Sequence, residues 1–380
     1  MTDETPPAEP HHPHEHPTGP HAHGHSVYEA GEFLDAPPDE PVPEREVSLR
    51  DRLLNVRTIG SFVFALVLLV FLFRVVLNVD FASTFGYVSR ANLWMLLAGL
   101  IAFYFTFPLR SLRWSLILRK VGTQVPYRDA TEILYLSWFV NSVVPAKLGD
   151  LYRAYLLRGN FGASISRTVG TIFIERIADV VVIFALALAA GYWSFRGRNR
   201  PEVDALFLAG FVFALALVLI VVALRFGGGH VTRFLPARLA EYYDRFRHGT
   251  TAALTPMTLL SVLVLTGMVW MLEGLRVFFV IHAMGLAEID NLRISAALFV
   301  ALVASLLTAV PLTPAGIGFV QFGIAWALGL YGVSAEVGTA VALTDFVLNT
   351  FSVIVLGGIL YAFSPKVRRA HGRGAPAIAS

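Results

Sequence analysis

The stretch VVPAKLGDLYRAYLLR, residues 143–158, interrupts a long apolar run with Pro145 and Gly149 and carries Lys147, Asp150, Arg153 and Arg158. A helix that crosses about 30 Å of hydrocarbon needs roughly 20 predominantly apolar residues in a row. Proline removes a backbone donor and clashes with the preceding turn, so region 130–158 reads as two shorter helices joined by a breaker. A second stretch, AVPLTPAGIGFVQF at 309–322, begins its break with the same Val-Pro pair and splits region 294–330 at Pro311, Pro314, Gly316 and Gly318. Whether these two broken regions cross the membrane or turn back within it decides the fold.

The surroundings are apolar throughout. Of 380 residues, 56% are hydrophobic and 15% charged, and the mean hydropathy is +0.63, which leaves too little polar surface for a water-soluble protein of this length. The chain is therefore expected to be an all-α polytopic membrane protein. Cysteine is absent, which excludes disulfides, thiolate metal sites and cysteine nucleophiles. Residues 1–52 are rich in proline and histidine without any apolar run, so they are expected to form a disordered cytoplasmic tail. Imidazoles in HHPHEHPTGPHAHGH, 11–25, suit a divalent metal, but nothing fixes a ligand geometry, and no metal site or cofactor is assigned. A transmembrane domain is expected over 53–363, followed by a basic cytoplasmic tail at 364–380.

Six segments are long and apolar enough to span: about 59–77, 91–109, 168–192, 203–224, 256–284 and 338–361. Charge arbitrates the two broken regions. If both turn back, the N-terminal flank (Arg45, Arg50, Arg52, Arg57), the 110–128 loop, the 225–250 loop and the C-terminal tail all fall on the cytoplasmic side. If each crosses once, the arginine-rich 225–250 loop lies outside, against the positive-inside rule. The expectation is thus six spanning helices plus two oppositely oriented re-entrant broken-helix hairpins, with both termini cytoplasmic and Arg196, Arg198 and Arg200 outside. Transporters use inverted broken helices of this kind to build a binding site near the midplane.

A charge at a helix centre in lipid costs roughly 2.5–3.5 kcal/mol on insertion scales, so intramembrane charges face the interior and have partners. Glu175, Arg176 and Asp179 lie in IERIAD, with the carboxylates at i and i+4 on one face, and they leave one negative charge for a partner such as Lys147 or Arg153. Glu273 and Arg276 read as a self-neutralised structural pair, while Asp345 and Asn349 suit a hydrogen bond between helices. Asn141 precedes the first break and Gln321 follows the second. Pro314, Gly316 and Gly318 mark unwound backbone, which at membrane depth is tolerated where it is protein-buried or lines a cavity. Half-helix N-termini after Gly149 and Gly318 would offer N–H groups to a phosphate, with Lys147, Arg153 and Arg176 supplying positive charge. These features suit a lipid whose headgroup enters a cleft while its tails stay in the bilayer.

Taken in order, NSVVPAKLGDLYRAYLL (141–157), ERIADV (175–180) and VPLTPAGIGFVQ (310–321) resemble the signature blocks of the flippase-like transmembrane family found in lysylphosphatidylglycerol synthases and in stand-alone proteins of the UPF0104 group. The resemblance covers about residues 55–362. It implies an inner-membrane protein that moves a phospholipid or lipid-linked substrate between leaflets, with a lipid-modifying enzyme as a possible partner and no nucleic acid. It does not imply synthase activity, because the aminoacyl-transferase domain of the bifunctional members follows the last span and here the chain ends about twenty residues beyond it. Three positions depart from the family pattern. Gly149-Asp150 stands where Gly-Glu is common, Gln321 where a Glu is common, and Asp345 near a frequent Arg. Loss of one anion and one cation together suggests a re-balanced pair.

Two rival functions are weighed. An intramembrane aspartyl protease needs Gly-x-Gly-Asp and a second Asp, but Lys147-Leu148-Gly149-Asp150 lacks the first glycine, and the lysine favours ionisation of Asp150 over proton sharing. No enzyme activity is expected. A non-catalytic membrane scaffold for a lipid- or glycan-modifying enzyme is the alternative to translocation.

Overall fold

Asn92 accepts hydrogen bonds from the backbone N–H groups of Trp94 and Met95, and from that cap a helix runs to Lys120. The computed structural model describes residues 80–144, 147–196, 201–287, 289, 291–307, 313 and 316–372, with 67 and 74–75 before them. The N-terminal tail, nearly all of the expected span 59–77, Pro145, Pro311, Pro314, residues 197–200 and the last eight residues lie outside this set.

Every regular element among the described residues is helical. Helix α1 (Phe81–Ser89), capped by Asp80, precedes α2 (Leu93–Lys120). The first broken region forms α3 (Tyr127–Val143) and α4 (Leu148–Phe161). Next come α5 (Ile165–Phe195), α6 (Pro201–Val231), α7 (Ala237–Thr251) and α8 (Pro256–Ala283). The second broken region forms α9 (Ile294–Leu307) and α10 (Phe319–Gly329). Helix α11 (Ala335–Phe346) continues through a π-helical turn, Val347–Phe351, into α12 (Ser352–Phe363), and α13 (Pro365–Gly372) follows.

Among the described residues, four segments are long and apolar enough to cross a membrane: Leu93–Lys120, Val203–Gly227, Pro256–Ala283 and Ala335–Phe363. They correspond to four of the six expected spans. Helix α5 contains the fifth; at about 1.5 Å per residue its 31 residues are long enough for the hydrocarbon core, but the charged turn at 175–179 breaks its apolar run.

Two readings of the loops change. Residues 110–120 are not loop, because α2 carries its helical pattern through LRSLRWSLIL to Lys120, so Arg110 and Arg113 lie inside the helix and are buried. Residues 225–250 are mostly helix, the end of α6 and all of α7. The close crossing of α5 and α7 requires glycine, since a Cβ on Gly170 would meet the Phe246 carbonyl oxygen at 2.2 Å and one on Gly249 the Arg167 carbonyl oxygen at 2.1 Å. The C-terminal segment, expected as a basic tail, begins as α13, which buries Val367 and Ala370 beside Leu156 and Leu157 of α4.

Both broken regions fold back on themselves, and their ends are fixed by contacts. In the first, Lys366 pairs with Asp129 at 2.9 Å and Glu132 at 2.5 Å near the start of α3, and its carbonyl accepts from Asn160 at the end of α4 at 3.0 Å. The two outer ends of α3–α4 therefore meet at one place, beside the start of α5, where Arg167 donates to the Val121 carbonyl. In the second, Ser194 donates to Ser295 at the start of α9 at 3.3 Å, and the Phe195 ring packs tilted against Tyr331 just past α10 with centroids 4.9 Å apart. The outer ends of α9–α10 thus meet at the opposite end of α5.

Candidate functional site

The breaks in the two folded-back pairs face a common cavity of about 190 Å³. Val144 and Lys147 line it from the first break, Thr313 and Gly316 from the second. Asn141 of α3, Arg176 of α5, Trp270, Glu273 and Arg276 of α8, and Asp345 and Asn349 of the last span complete its polar wall. The π turn at 347–351 sets Asn349 and Thr350 against it, a distortion that recurs at functional sites.

Around this space lies a network of charges that exists only because distant helices meet. Arg113 donates from Nε to Glu175 at 3.2 Å, and from NH1 to Asp179 at 2.6 Å and Thr266 at 2.7 Å. Arg153 reaches the other oxygen of Glu175 at 2.8 Å and lies 3.6 Å over the Trp114 ring. Arg176 holds Asp150 through two hydrogen bonds of 2.8 and 3.0 Å and approaches Asp179 at 3.6 Å. These six groups form one cluster of three arginines and three carboxylates.

A second cluster of four is arranged as a chain. Arg110 pairs with Glu273 at 2.9 Å, Glu273 with Arg276 at 3.2 Å, and Arg276 with Asp345 at 2.5 Å. Asn349 donates to the free oxygen of Asp345 at 2.9 Å. Trp270 links the clusters, since its Nε1 donates to Asp179 at 3.2 Å while Arg110 lies 5.6 Å from its ring centroid. Eight of the ten charges are at most 6% exposed. An unpaired charge buried this deeply would cost several kcal/mol, which explains why every one of them has an opposite partner.

The expected site residues divide by location. Asn141, Lys147, Arg176 and Gly316 line the cavity. Asp150, Arg153, Glu175 and Asp179 stand behind it as counter-charges. Gly149 is the contact point of the first pair: its N–H donates to Asn141 Oδ1 at 2.8 Å, and an added Cβ would lie 2.1 Å from the Ser137 carbonyl oxygen. Gly318, at φ 92°, donates to Gln321 Oε1 at 2.7 Å. The N–H groups of these two glycines are consequently occupied. The reason is local: a side-chain amide in each pair reaches the donor first. Pro145 and Pro314 lie outside the described residues.

Partners also differ from expectation. Of the two cations considered for the Glu175–Asp179 triad, Arg153 pairs with Glu175, but Lys147 makes no ion pair among the described residues. The Glu273–Arg276 pair exists, yet Arg110 and Asp345 extend it at both ends. Arg110 and Arg113 escaped the sequence reading because the span was ended at residue 109. The signal that could have found them is the apolar spacing that resumes beyond Pro108 and runs to the end of the helix at Lys120.

Long apolar helices, two oppositely placed broken pairs and a charged interior cavity define a multi-pass α-helical membrane protein. Residues 58–357 match the lysylphosphatidylglycerol synthase transmembrane region, and the chain belongs to that family. It is 34% identical over 224 residues to a UPF0104 membrane protein of Methanocaldococcus jannaschii, covering 59% of this chain and 93% of that protein. A UPF0104 membrane protein of Methanothermobacter thermautotrophicus is 25% identical over 293 residues, 71% of this chain and 85% of that one. The glycosyltransferase AglD of Haloferax volcanii is 26% identical over 111 residues, 29% of this chain but 18% of that protein.

Proposed function

We propose that the chain is a lipid translocase of the plasma (inner) membrane, passing an anionic or lipid-linked headgroup between leaflets through the central cavity. The observation that carries this reading is the meeting of two broken helix pairs, with outer ends at opposite ends of α5, at one polar space. In a bilayer, pairs whose ends coincide enter and leave by one face, which makes them re-entrant, and their inversion gives each leaflet a route to the same residues. A cavity of about 190 Å³ is smaller than the roughly 300–1,000 Å³ of sites that enclose a whole drug-sized ligand. It suits a headgroup whose tails remain in the hydrocarbon. The role is transport without covalent chemistry, with the paired charges keeping the site polar and rigid.

The test is transbilayer movement of a labelled anionic phospholipid in proteoliposomes. Wild-type protein is expected to accelerate it, and Arg176→Ala with Lys147→Ala to abolish the gain; unchanged movement in the double variant would sink the proposal. Lipids co-purified with wild type and with Asp150→Asn, Arg176→Ala, compared by mass spectrometry, would identify the headgroup.

The similarity to a segment of a protein named a glycosyltransferase favours a second reading, a non-catalytic scaffold for a lipid- or glycan-modifying enzyme. A scaffold would keep its function when the cavity charges are neutralised and lose it when the basic surface from Arg225 to Arg247 is altered.

A further inference from the structure

Among the described residues, the charge tally of the interior leaves one cation over. The six-member cluster holds Arg113, Arg153 and Arg176 against Asp150, Glu175 and Asp179, and the four-member chain holds Arg110 and Arg276 against Glu273 and Asp345. Each is neutral in formal charge. Lys147 lines the same cavity, is exposed to it, and makes no ion pair among the described residues. Asp150, three residues further on, and Asp179 are already engaged by Arg176.

The backbone of Lys147 is the second, independent observation. At φ 53° and ψ 35° it is left-handed, and among the described residues it is the one non-glycine position with positive φ. Glycine takes this conformation without the steric penalty that a Cβ brings, as Gly316 and Gly318 do in the other break. A lysine at a backbone position suited to glycine, with its ammonium in an otherwise neutral cavity, is placed for its side chain. Strain kept at such a point is characteristic of binding sites.

We propose that Lys147 is the residue that receives the anionic phosphate group of the lipid headgroup and makes the cavity prefer anionic over zwitterionic headgroups. This assignment rests on the translocase reading for its ligand, but not for its test. Trp138 and Trp270 line the cavity and supply the optical probe.

The experiment titrates full-length protein in mild detergent with dihexanoyl phosphatidylglycerol, dihexanoyl phosphatidylcholine and inorganic phosphate, following tryptophan fluorescence and unfolding temperature. Wild type is expected to bind the glycerol lipid at least tenfold more tightly than the choline lipid. Lys147→Gly is expected to raise the unfolding temperature, because the left-handed strain is relieved, while losing that tenfold preference; Lys147→Arg should keep it. A glycine variant that retains the preference overturns the assignment, as does equal loss of binding for both lipids. Inorganic phosphate saturating the site as well as the glycerol lipid would identify a free-anion site and overturn the lipid headgroup. Flux in proteoliposomes separates the two ideas: selective binding without transport defeats the translocase alone, and transport with unchanged selectivity in Lys147→Gly defeats the role of Lys147 alone.

Discussion

Asp345 of α11 lies 2.5 Å from Arg276 of α8 and is 1% exposed, so a carboxylate from the last span neutralises an arginine 69 positions earlier in the chain. Arg276 also holds Glu273, one turn away on its own helix, and Glu273 in turn holds Arg110 of α2. Three helices are thereby joined through four charges.

Removing one partner of such a pair strands the other. Asp345→Ala should destabilise the protein by about 3–5 kcal/mol, whereas replacing Asp345 and Arg276 together by leucine and methionine should cost less than the sum of the single changes. Unfolding in detergent by denaturant, run as a double-mutant cycle, checks the coupling; additive costs would show that the contact does not matter.

Arg113 serves Glu175 from Nε, and Asp179 and Thr266 from NH1, so three partners are held by one planar fork. A lysine ammonium carries charge but not that planar set of donors, so Arg113→Lys should recover little of the roughly 3–5 kcal/mol lost in Arg113→Leu. Near-complete recovery by lysine would mean that charge alone, and not geometry, is required.

Gly149→Ala should separate the first folded-back pair. The new Cβ would sit 2.1 Å from the Ser137 carbonyl oxygen and 2.7 Å from the Asn141 amide nitrogen, both backbone atoms that cannot swing aside. A cost of about 1–3 kcal/mol follows from overpacking, with faster amide exchange in α3 and α4 than in α5. Uniform exchange across all three helices would argue against a local wedge.

The absence of cysteine makes labelling clean. Arg196→Cys, just beyond α5, should react with an impermeant maleimide from outside the cell, and Arg238→Cys of α7 only after permeabilisation. Both positions are exposed. Reaction of both from one side would contradict the inverted arrangement.

At the mouth of α1, hydrogen bonds from Ser83 and from the backbone N–H groups of Ala82 and Ser83 hold the Asp80 carboxyl below its usual value of 3.8. Because the folded state holds its proton less tightly than the unfolded chain, this cap contributes fully above 3.8 and is lost as pH falls through the folded value. Amide exchange across Phe81–Ser89 should accelerate at the acid end of that range in wild type and much less in Asp80→Asn, which keeps a capping side chain without the titration.

The membrane class, most spans and both breaks were legible in the sequence, because run length, apolar content and helix breakers such as Pro145 and Gly149 act within a few neighbouring residues. The demand that Glu175 and Asp179 find a cation was legible too, since a charge in hydrocarbon carries its cost wherever it sits. Which cation answers is a different matter. Arg113 lies 62 positions from Glu175 and 66 from Asp179, and Arg110 lies 163 from Glu273. Nothing local distinguishes those arginines from the basic residues that flank a span. Only the packing of α2 against α5 and α8 brings them to their carboxylates, and it alone decides that Lys147 makes no ion pair among the described residues, because electrostatic pairing depends on distance in space and not along the chain.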